Sequence, residues 1–243
     1  MLPRFLADTI DADAGTARLG EDETRHLSQV LRLGIGDAVA VFDGAGREFA
    51  ARIERLARDG ADLRLTAPLD AAPEPAVRVT LAQAALKGEK MDDVVRDATM
   101  MGVAAVEPLV TANVAAHLKP GRAPERWRRI AIASAKQCRR AVIPRIGSGT
   151  ELADWLASDR SALRLLLVEP SAAIDARPPS ALAGRTPDSA SLLVGPEGGW
   201  TPQEVAVAIA AGYVPLTLGR RTLRADAVPI VAIGILLSLW GDL

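Results

Sequence analysis

The sequence predicts an α/β protein in which a small N-terminal β domain precedes a larger domain built on a mostly parallel sheet. Three observations support this fold class. Short alternating strands extend to about residue 70, a proline-rich segment follows, and strands then alternate with helices. Of the 243 residues, 49% are apolar but only 3% aromatic, which is typical of helices packed closely on a sheet through small side chains.

The N-terminal domain is predicted from the alternation of apolar and polar residues. Strands are expected at 38–42, 47–53 and 61–66, because the turns between them contain the Asp and Gly residues that reverse antiparallel strands. The residues at 16–19 and a short amphipathic stretch at 22–31 precede them. We therefore expect a small β-barrel or meander.

A segment with two prolines and no periodicity, at 70–76, marks the boundary between domains 1–72 and 73–243. Beyond it we expect strands at 77–84, 104–110, 163–168, 191–194 and 214–218. Helices are expected at 90–101, 124–140 and 225–240, and a further helix begins after residue 201. The helix after residue 201 begins with Thr201, Pro202 and Glu204, the residue types of a capping box with proline in the first turn. This alternation predicts a mostly parallel sheet.

Several classes of protein are excluded by composition. One cysteine, Cys138, rules out a disulfide framework, and with only His26 and His117 beside it we expect no metal site. The first residues lack the apolar core of a secretory signal, and the most apolar stretch, 227–240, is shorter than the ~20 residues that span a bilayer. We expect a cytoplasmic protein that does not bind membranes.

Charge is concentrated in one segment although the whole chain carries a net charge of −1. Between His117 and Arg145 there are nine basic residues and one acid, Glu125, a local excess of +8. Such a segment is either a phosphate-binding surface or a solvated helix face.

The most informative motif is a glycine-rich turn at 195–199, which follows a buried strand and precedes the capped helix. Backbone N–H groups and a helix N-terminus converge on a ligand at such strand ends, and glycine lets the backbone approach closely. Glu197 in this turn disfavours phosphate and favours a neutral or cationic ligand. Similar turns follow the strands that end near Val168 and Leu218, so three loops are expected to form one pocket, unless these are only tight connections.

Four motifs occur in order and together resemble a known family. They are Lys87-Gly88-Glu89-Lys90-Met91, Lys136-Gln137-Cys138-Arg139-Arg140, Leu193-Val194-Gly195-Pro196-Glu197-Gly198-Gly199 and Leu218-Gly219-Arg220-Arg221-Thr222-Leu223-Arg224. The chain is similar over nearly its whole length to bacterial 16S ribosomal RNA (uracil-N3) methyltransferases of the SPOUT superfamily. Residues 25–32 and 41–44 resemble the N-terminal PUA-like RNA-binding barrel of that family.

This resemblance implies a C-terminal SPOUT-type domain with a trefoil knot, S-adenosylmethionine as cofactor, a homodimer, and a target uridine in 16S rRNA near the decoding region of the 30S subunit. The cofactor would contact Val168, Glu169, Val194, Gly195, Pro196, Glu197, Gly198, Gly199, Leu218, Gly219, Leu223 and Arg224. The RNA would contact Arg25, His26, Arg32, Lys87, Lys90, Lys136, Arg139 and Arg140.

Uracil N3 is a poor nucleophile until it loses its proton, so the reaction requires a base or a cation that stabilises the anion. Arg224 is the expected cation, Asp226 the nearest candidate base, and Glu197 lies near the cofactor. Arg224 could instead brace a loop, and Asp226 could cap the following helix.

The chain departs from the family pattern at Met101, where an acid is usual, at Asn113, where arginine is common, at Lys136, which replaces a frequent glutamate, and at Ala225-Asp226-Ala227. Pro229 within the last predicted helix is also unusual. Two alternatives follow: an enzyme of the same fold acting on another rRNA or tRNA nucleotide, and a non-catalytic RNA-binding factor in ribosome assembly.

Overall fold

The computed structural model describes residues 2–114, 122–172 and 174–243. It contains two compact units. The first combines Met1–Glu74 with Ala135–Ile143, and the second combines Pro75–Ser134 with Pro144–Leu243. The predicted α/β class, with an N-terminal β unit and a parallel C-terminal sheet, is confirmed. The boundary at residue 72 and the trefoil knot stay predictions.

The first unit is a six-stranded sheet with one short helix. Its elements are β1 (Arg4–Leu6), β2 (Thr9–Asp11), β3 (Thr16–Leu19), α1 (Glu21–Arg25), a π-helical turn at His26–Val30, β4 (Ala38–Phe42), β5 (Glu48–Ala57) and β6 (Gly60–Leu69). The strand order is β1-β4-β5-β6-β3-β2, with β1 parallel to β4 and the other pairs antiparallel. Phe5, Leu19 and Leu63 lie in its apolar core. The sequence did not predict β1 and β2, because three residues are too few to display an alternation.

The second unit is a parallel sheet flanked by helices. Its elements are β7 (Arg78–Ala84), α2 (Lys90–Met100), β8 (Ala105–Val110), β9 (Arg145–Ile146), β10 (Thr150–Glu151), α4 (Leu152–Ser158), β11 (Leu163–Leu167), β12 (Ser189–Val194), α5 (Pro202–Ala210), β13 (Val214–Leu216) and α6 (Val228–Leu239). Helix α3 (Arg122–Cys138) belongs to it up to Ser134. The strand order is β10-β8-β7-β12-β11-β13, with β9 beside β8. Helix α4 and strands β9 and β10 were not predicted.

The helix ends agree with the local sequence signals in two cases. Thr201 and Glu204 form the predicted capping box at the start of α5. Gly102 ends α2 with a φ of +88°, and a Cβ there would collide with the ring of Pro75. The predicted start of the last helix at residue 225 was wrong. Helix α6 begins at Val228, so Pro229 lies in its first turn, where its missing N–H breaks no helical hydrogen bond.

All strand pairs in the second sheet are parallel, so the carboxyl ends of its strands meet at one edge. The loops after β8, β11, β12 and β13 therefore begin close to one another. Among the described residues, each helix is too short or too polar to cross a bilayer.

Candidate ligand site at the strand ends

A cavity of about 560 Å³ opens at the carboxyl edge of the parallel sheet. Its walls come from the ends of β11 and β12 and from the loops that follow β11, β12 and β13. The lining residues of the three loops are 168–172, 195–200 and 221–226, together with Lys90, Leu167, Val194, Val205, Leu218 and Val228. The three strand ends singled out from the sequence thus border one cavity. Its volume lies within the range of ~300–1,000 Å³ that small-molecule and cofactor sites occupy.

The first residue of the glycine-rich turn, Gly195, is enclosed by protein atoms. The side-chain amide of Gln83, fully buried at the end of β7, donates to the Gly195 carbonyl at 3.2 Å. On the other side, a Cβ at Gly195 would lie 3.1 Å from the Trp200 ring. Trp200 Nε1 in turn donates to the Leu167 carbonyl at 3.0 Å, which ties the turn to the end of β11. A side chain here would have to displace the Trp200 ring by a few tenths of an ångström, so close packing of the protein on itself favours glycine.

Gly198 and Gly199 are enclosed in a comparable way. A Cβ at Gly198 would lie 3.0 Å from Asn113 Cβ, and one at Gly199 would lie 3.3 Å from Glu169 Oε1. Gly199 also has a φ of +68°, which disfavours any larger residue. Its N–H donates to the Pro196 carbonyl at 3.0 Å and closes the turn.

Glu197 is an ionised carboxylate at the cavity wall. Lys90 Nζ contacts its Oε1 at 2.9 Å, and the backbone N–H of Lys87 donates to the same oxygen at 3.3 Å. Burial raises the pKa of Glu197, but these hydrogen bonds and one from its own N–H outweigh that effect and lower the pKa below its ordinary value. A carboxylate with a lowered pKa is a weak proton acceptor, so Glu197 is better suited to electrostatic stabilisation than to base catalysis.

Arg224 and Asp226 lie together at the end of the third loop. Arg224 Nε donates to Asp226 Oδ1 at 3.2 Å, and the Arg224 side chain is 73% exposed. An ion pair this exposed contributes about 0–1 kcal/mol, so a substrate can displace it at little cost. This ion pair borders the cavity, and it does not fix either side chain rigidly.

The structure gathers nearly all residues predicted to bind the cofactor or act in catalysis around this cavity. Of that predicted set, which lies wholly within the described residues, Gly219 alone is absent from the lining. Lys90, predicted to contact RNA, also lines the cavity. Three residues at the same sheet edge were not predicted to belong to the site, namely Gln83, Asn113 and Trp200. Each lies at or just beyond the end of a strand or turn.

The basic segment is less cationic in the fold than its sequence indicates. Four of its residues form ion pairs with distant acids: Arg126 with Asp92, Lys136 with Glu23, Arg140 with Glu74 and Arg145 with Glu107. The Arg140 side chain is only 5% exposed. Lys136 and Arg140 each pair with an acid within the first unit. His117 and Lys119 lie outside the described residues.

Other residues predicted to contact RNA are exposed. Arg139 follows the end of α3 with a φ of +68°, and Arg32 has a φ of +57°. Arg25 pairs with Glu21 and Asp22 one turn away, and the exposed His26 ring meets the edge of Phe5. Lys87 is exposed beside the Glu197 turn.

The fold and site define an α/β domain that holds a small ligand between glycine-rich strand-end loops, in a chain that also carries a separate β unit. Residues 73–237 match the family model of an RNA methyltransferase domain, and residues 19–66 match that of an RNA methyltransferase PUA domain. The chain belongs to the RNA methyltransferase family. The predicted family and enzyme class are confirmed.

Relatives and solved structures agree with this assignment. The chain is 34% identical over 227 residues to ribosomal RNA small subunit methyltransferase E of Synechocystis sp., covering 90% of this chain and 71% of the relative. It is 32% identical over 247 residues to the enzyme of the same name from Mycobacterium tuberculosis, covering 97% and 92%. A structure of that enzyme from Neisseria gonorrhoeae, bound to S-adenosyl methionine, is similar with a TM-score of 0.88 and 28% identity, covering 99% of this chain and 98% of that one. A methyltransferase from Legionella pneumophila in complex with the same cofactor gives a TM-score of 0.89 at 27% identity, covering 98% of each chain.

Proposed function

We propose that this protein transfers a methyl group from S-adenosylmethionine to N3 of a uridine in 16S rRNA of the small ribosomal subunit. The observation that carries the proposal is the glycine-rich cavity at the carboxyl edge of the parallel sheet. Support comes from the similarity of the whole chain to a methyltransferase solved with S-adenosyl methionine and from relatives named small-subunit rRNA methyltransferases.

The cavity fits the chemistry of this cofactor. Leu167, Val194, Leu218 and Leu223 supply apolar surface for an adenine ring, and the tight backbone turns offer N–H and C=O groups for its polar edges. Glu197 is the anionic group expected beside a cationic sulfonium. When bound, the cofactor supplies an electrophilic methyl group that needs no metal for activation.

Arg224 and Asp226 are proposed to act on the uracil. Among the described residues, no acceptor contacts the two terminal nitrogens of Arg224, so they are available to the planar uracil anion. A guanidinium can donate two parallel hydrogen bonds to such an anion. Asp226 lies within reach of Arg224 and is the candidate that accepts the N3 proton.

The proposed RNA surface is smaller than the sequence indicated. It comprises Arg25, His26, Arg32 and Arg139 in the first unit and Lys87 in the second. Arg128 and Arg129 are exposed on α3 and extend the set. We assign Lys90 to the cavity and Lys136 and Arg140 to structural ion pairs. We propose the 30S subunit as the partner, the cytoplasm as the location and, from the family resemblance, a homodimer as the working form.

Nucleoside analysis tests this function directly. Protein is incubated with 30S subunits that lack the modification, or with tRNA, and S-adenosylmethionine carrying a labelled methyl group. N3-methyluridine in 16S rRNA is the expected product. A methylated tRNA or a ribose methyl group would indicate the other enzymatic alternative, and no calorimetric binding of the cofactor would favour the non-catalytic one.

A further inference from the structure

We infer that Asn113 is a positioning residue that holds the glycine-rich turn in the shape needed for cofactor binding. The inference rests on the proposed function, because it assigns the ligand of that turn as S-adenosylmethionine. Asn113 does not line the cavity among the described residues, so it acts through the turn and not on the ligand.

Among the described residues, the side-chain hydrogen bonds of Asn113 are made to the glycine-rich turn. Its side-chain nitrogen Nδ2 donates to the carbonyls of Gly198 at 3.2 Å and Gly199 at 3.1 Å. A primary amide has two N–H groups, so one nitrogen can serve both carbonyls. Two neighbouring carbonyl dipoles directed to the same side repel each other unless a donor lies between them. Asn113 supplies that donor.

Asn113 is itself held in place from two directions. The N–H of Ala112 donates to Glu204 Oε1 at 2.8 Å, while the other carboxylate oxygen of Glu204 completes the capping box of α5. The N–H of Val114 donates to the Thr111 carbonyl at 3.1 Å and closes a turn around Asn113. The amide is therefore fixed relative to both the glycine turn and the start of α5.

Steric contact adds to the hydrogen bonds. The Cα of Gly198 approaches Asn113 so closely that a Cβ would lie 3.0 Å from Asn113 Cβ. The loop after β8 therefore leaves little room for a side chain at position 198. Glu169 lies on the other flank of the turn, next to Gly199. The turn is confined between these two residues. In the part of the chain that the structure describes, Asn113 is the side chain that donates to the carbonyls of Gly198 and Gly199.

The test compares Asn113→Ala and Asn113→Asp with the control Gln203→Ala, which removes an exposed amide close to the same turn. Cofactor Kd is measured by calorimetry, and kcat and KM by methylation of 30S subunits. We expect Asn113→Ala to weaken the binding of S-adenosylmethionine about tenfold, since each lost hydrogen bond contributes about 0.5–1.5 kcal/mol. Asn113→Asp should weaken it further, because a carboxylate repels both carbonyls. KM for the cofactor should rise while kcat at saturation, 30S affinity and Tm stay near wild type.

A spectroscopic readout separates positioning from a loss of folding. Asn113 is the sole asparagine of the chain, so labelling with ¹⁵N-asparagine gives one side-chain NH₂ signal. We expect its two protons to exchange slowly with solvent and to shift when S-adenosylmethionine binds. Rapid exchange and no shift, or an unchanged cofactor Kd in Asn113→Ala, would overturn the inference. Wild-type protein that does not bind the cofactor would instead overturn the proposed function.

Discussion

Asp159 is a buried carboxylate far along the sheet from the ligand cavity, and replacing it with asparagine should destabilise the second unit. The residue is 6% exposed. Its Oδ2 accepts hydrogen bonds from the hydroxyls of Ser191 and Tyr213, both at 2.5 Å. Its Oδ1 accepts from the N–H and the hydroxyl of Ser161 at 2.9 and 2.7 Å. The Tyr213 hydroxyl accepts from Trp155 Nε1, so its proton is directed to Asp159.

The expected magnitude follows from these contacts. Asparagine has one acceptor oxygen, so its NH₂ must face either the Tyr213 hydroxyl or the Ser161 N–H, both of which are donors. One charge-assisted hydrogen bond, worth about 1.5–3 kcal/mol, is lost, and a buried donor is left unpaired at a cost of about 1–3 kcal/mol. The two costs overlap, so we expect Asp159→Asn to lower the free energy of unfolding by about 3 kcal/mol. Tm should fall by about 6–12 °C in a chain of this size.

The effect should depend on pH. Burial raises the pKa of Asp159, but hydrogen bonds from Ser191, Tyr213 and Ser161 outweigh it and lower the pKa below its ordinary value. The carboxylate therefore stabilises the fold in full above its unfolded pKa of about 3.9, and this contribution is lost as pH falls through the lower folded value. The stability difference between wild type and variant should shrink below about pH 4.

Urea unfolding measures both the loss in the free energy of unfolding and its change with pH. The experiment compares wild type, Asp159→Asn and the exposed control Asp175→Asn at pH 7 and at acidic pH. Asp175→Asn should stay within about 0.5 kcal/mol of wild type, as surface substitutions usually do. An Asp159→Asn variant equally close to wild type, or one whose deficit does not change with pH, would refute this account of the network.

Four further predictions concern the proposed site, the RNA surface and the stability of the first unit. Arg224→Lys should lower kcat by ~10²–10³, about 3–4 kcal/mol, with cofactor Kd unchanged and a smaller loss at high pH; near-normal kcat would make Arg224 structural. Gly198→Ala should weaken S-adenosylmethionine binding about tenfold, or by about 1.4 kcal/mol, because the new Cβ would lie 3.0 Å from Asn113 Cβ. Calorimetry measures this change, and wild-type affinity would show that the turn adapts freely. Arg139→Glu should weaken RNA binding and flatten its salt dependence at unchanged Tm. Arg140→Glu should instead lower Tm, since it replaces a buried cation with a carboxylate that faces Glu74, and an unchanged Tm would contradict that assignment.

Much of the second unit could be predicted from the sequence alone. Strands β11 and β12 are buried on the sheet, and a continuous apolar run is the local pattern of such a strand. The start of α5 was predicted because a capping box lies within four consecutive residues. The glycine-rich turn could be recognised, and its place at the edge of a parallel sheet followed from the alternation of strands and helices. These features depend on neighbouring residues, which sequence patterns report well.

Only the tertiary structure decided features that join residues far apart in the chain. The +8 segment lost much of its free charge because Lys136 and Arg140 meet Glu23 and Glu74, which are 113 and 66 positions away. Asn113 meets a turn 85 residues further on. The sequence therefore determined most of the longer elements and the type of site. The fold decided where the shortest elements lie, which charges are neutralised and what encloses each glycine. The physical reason is that both outcomes depend on distances in space between side chains, which local pattern and composition do not encode.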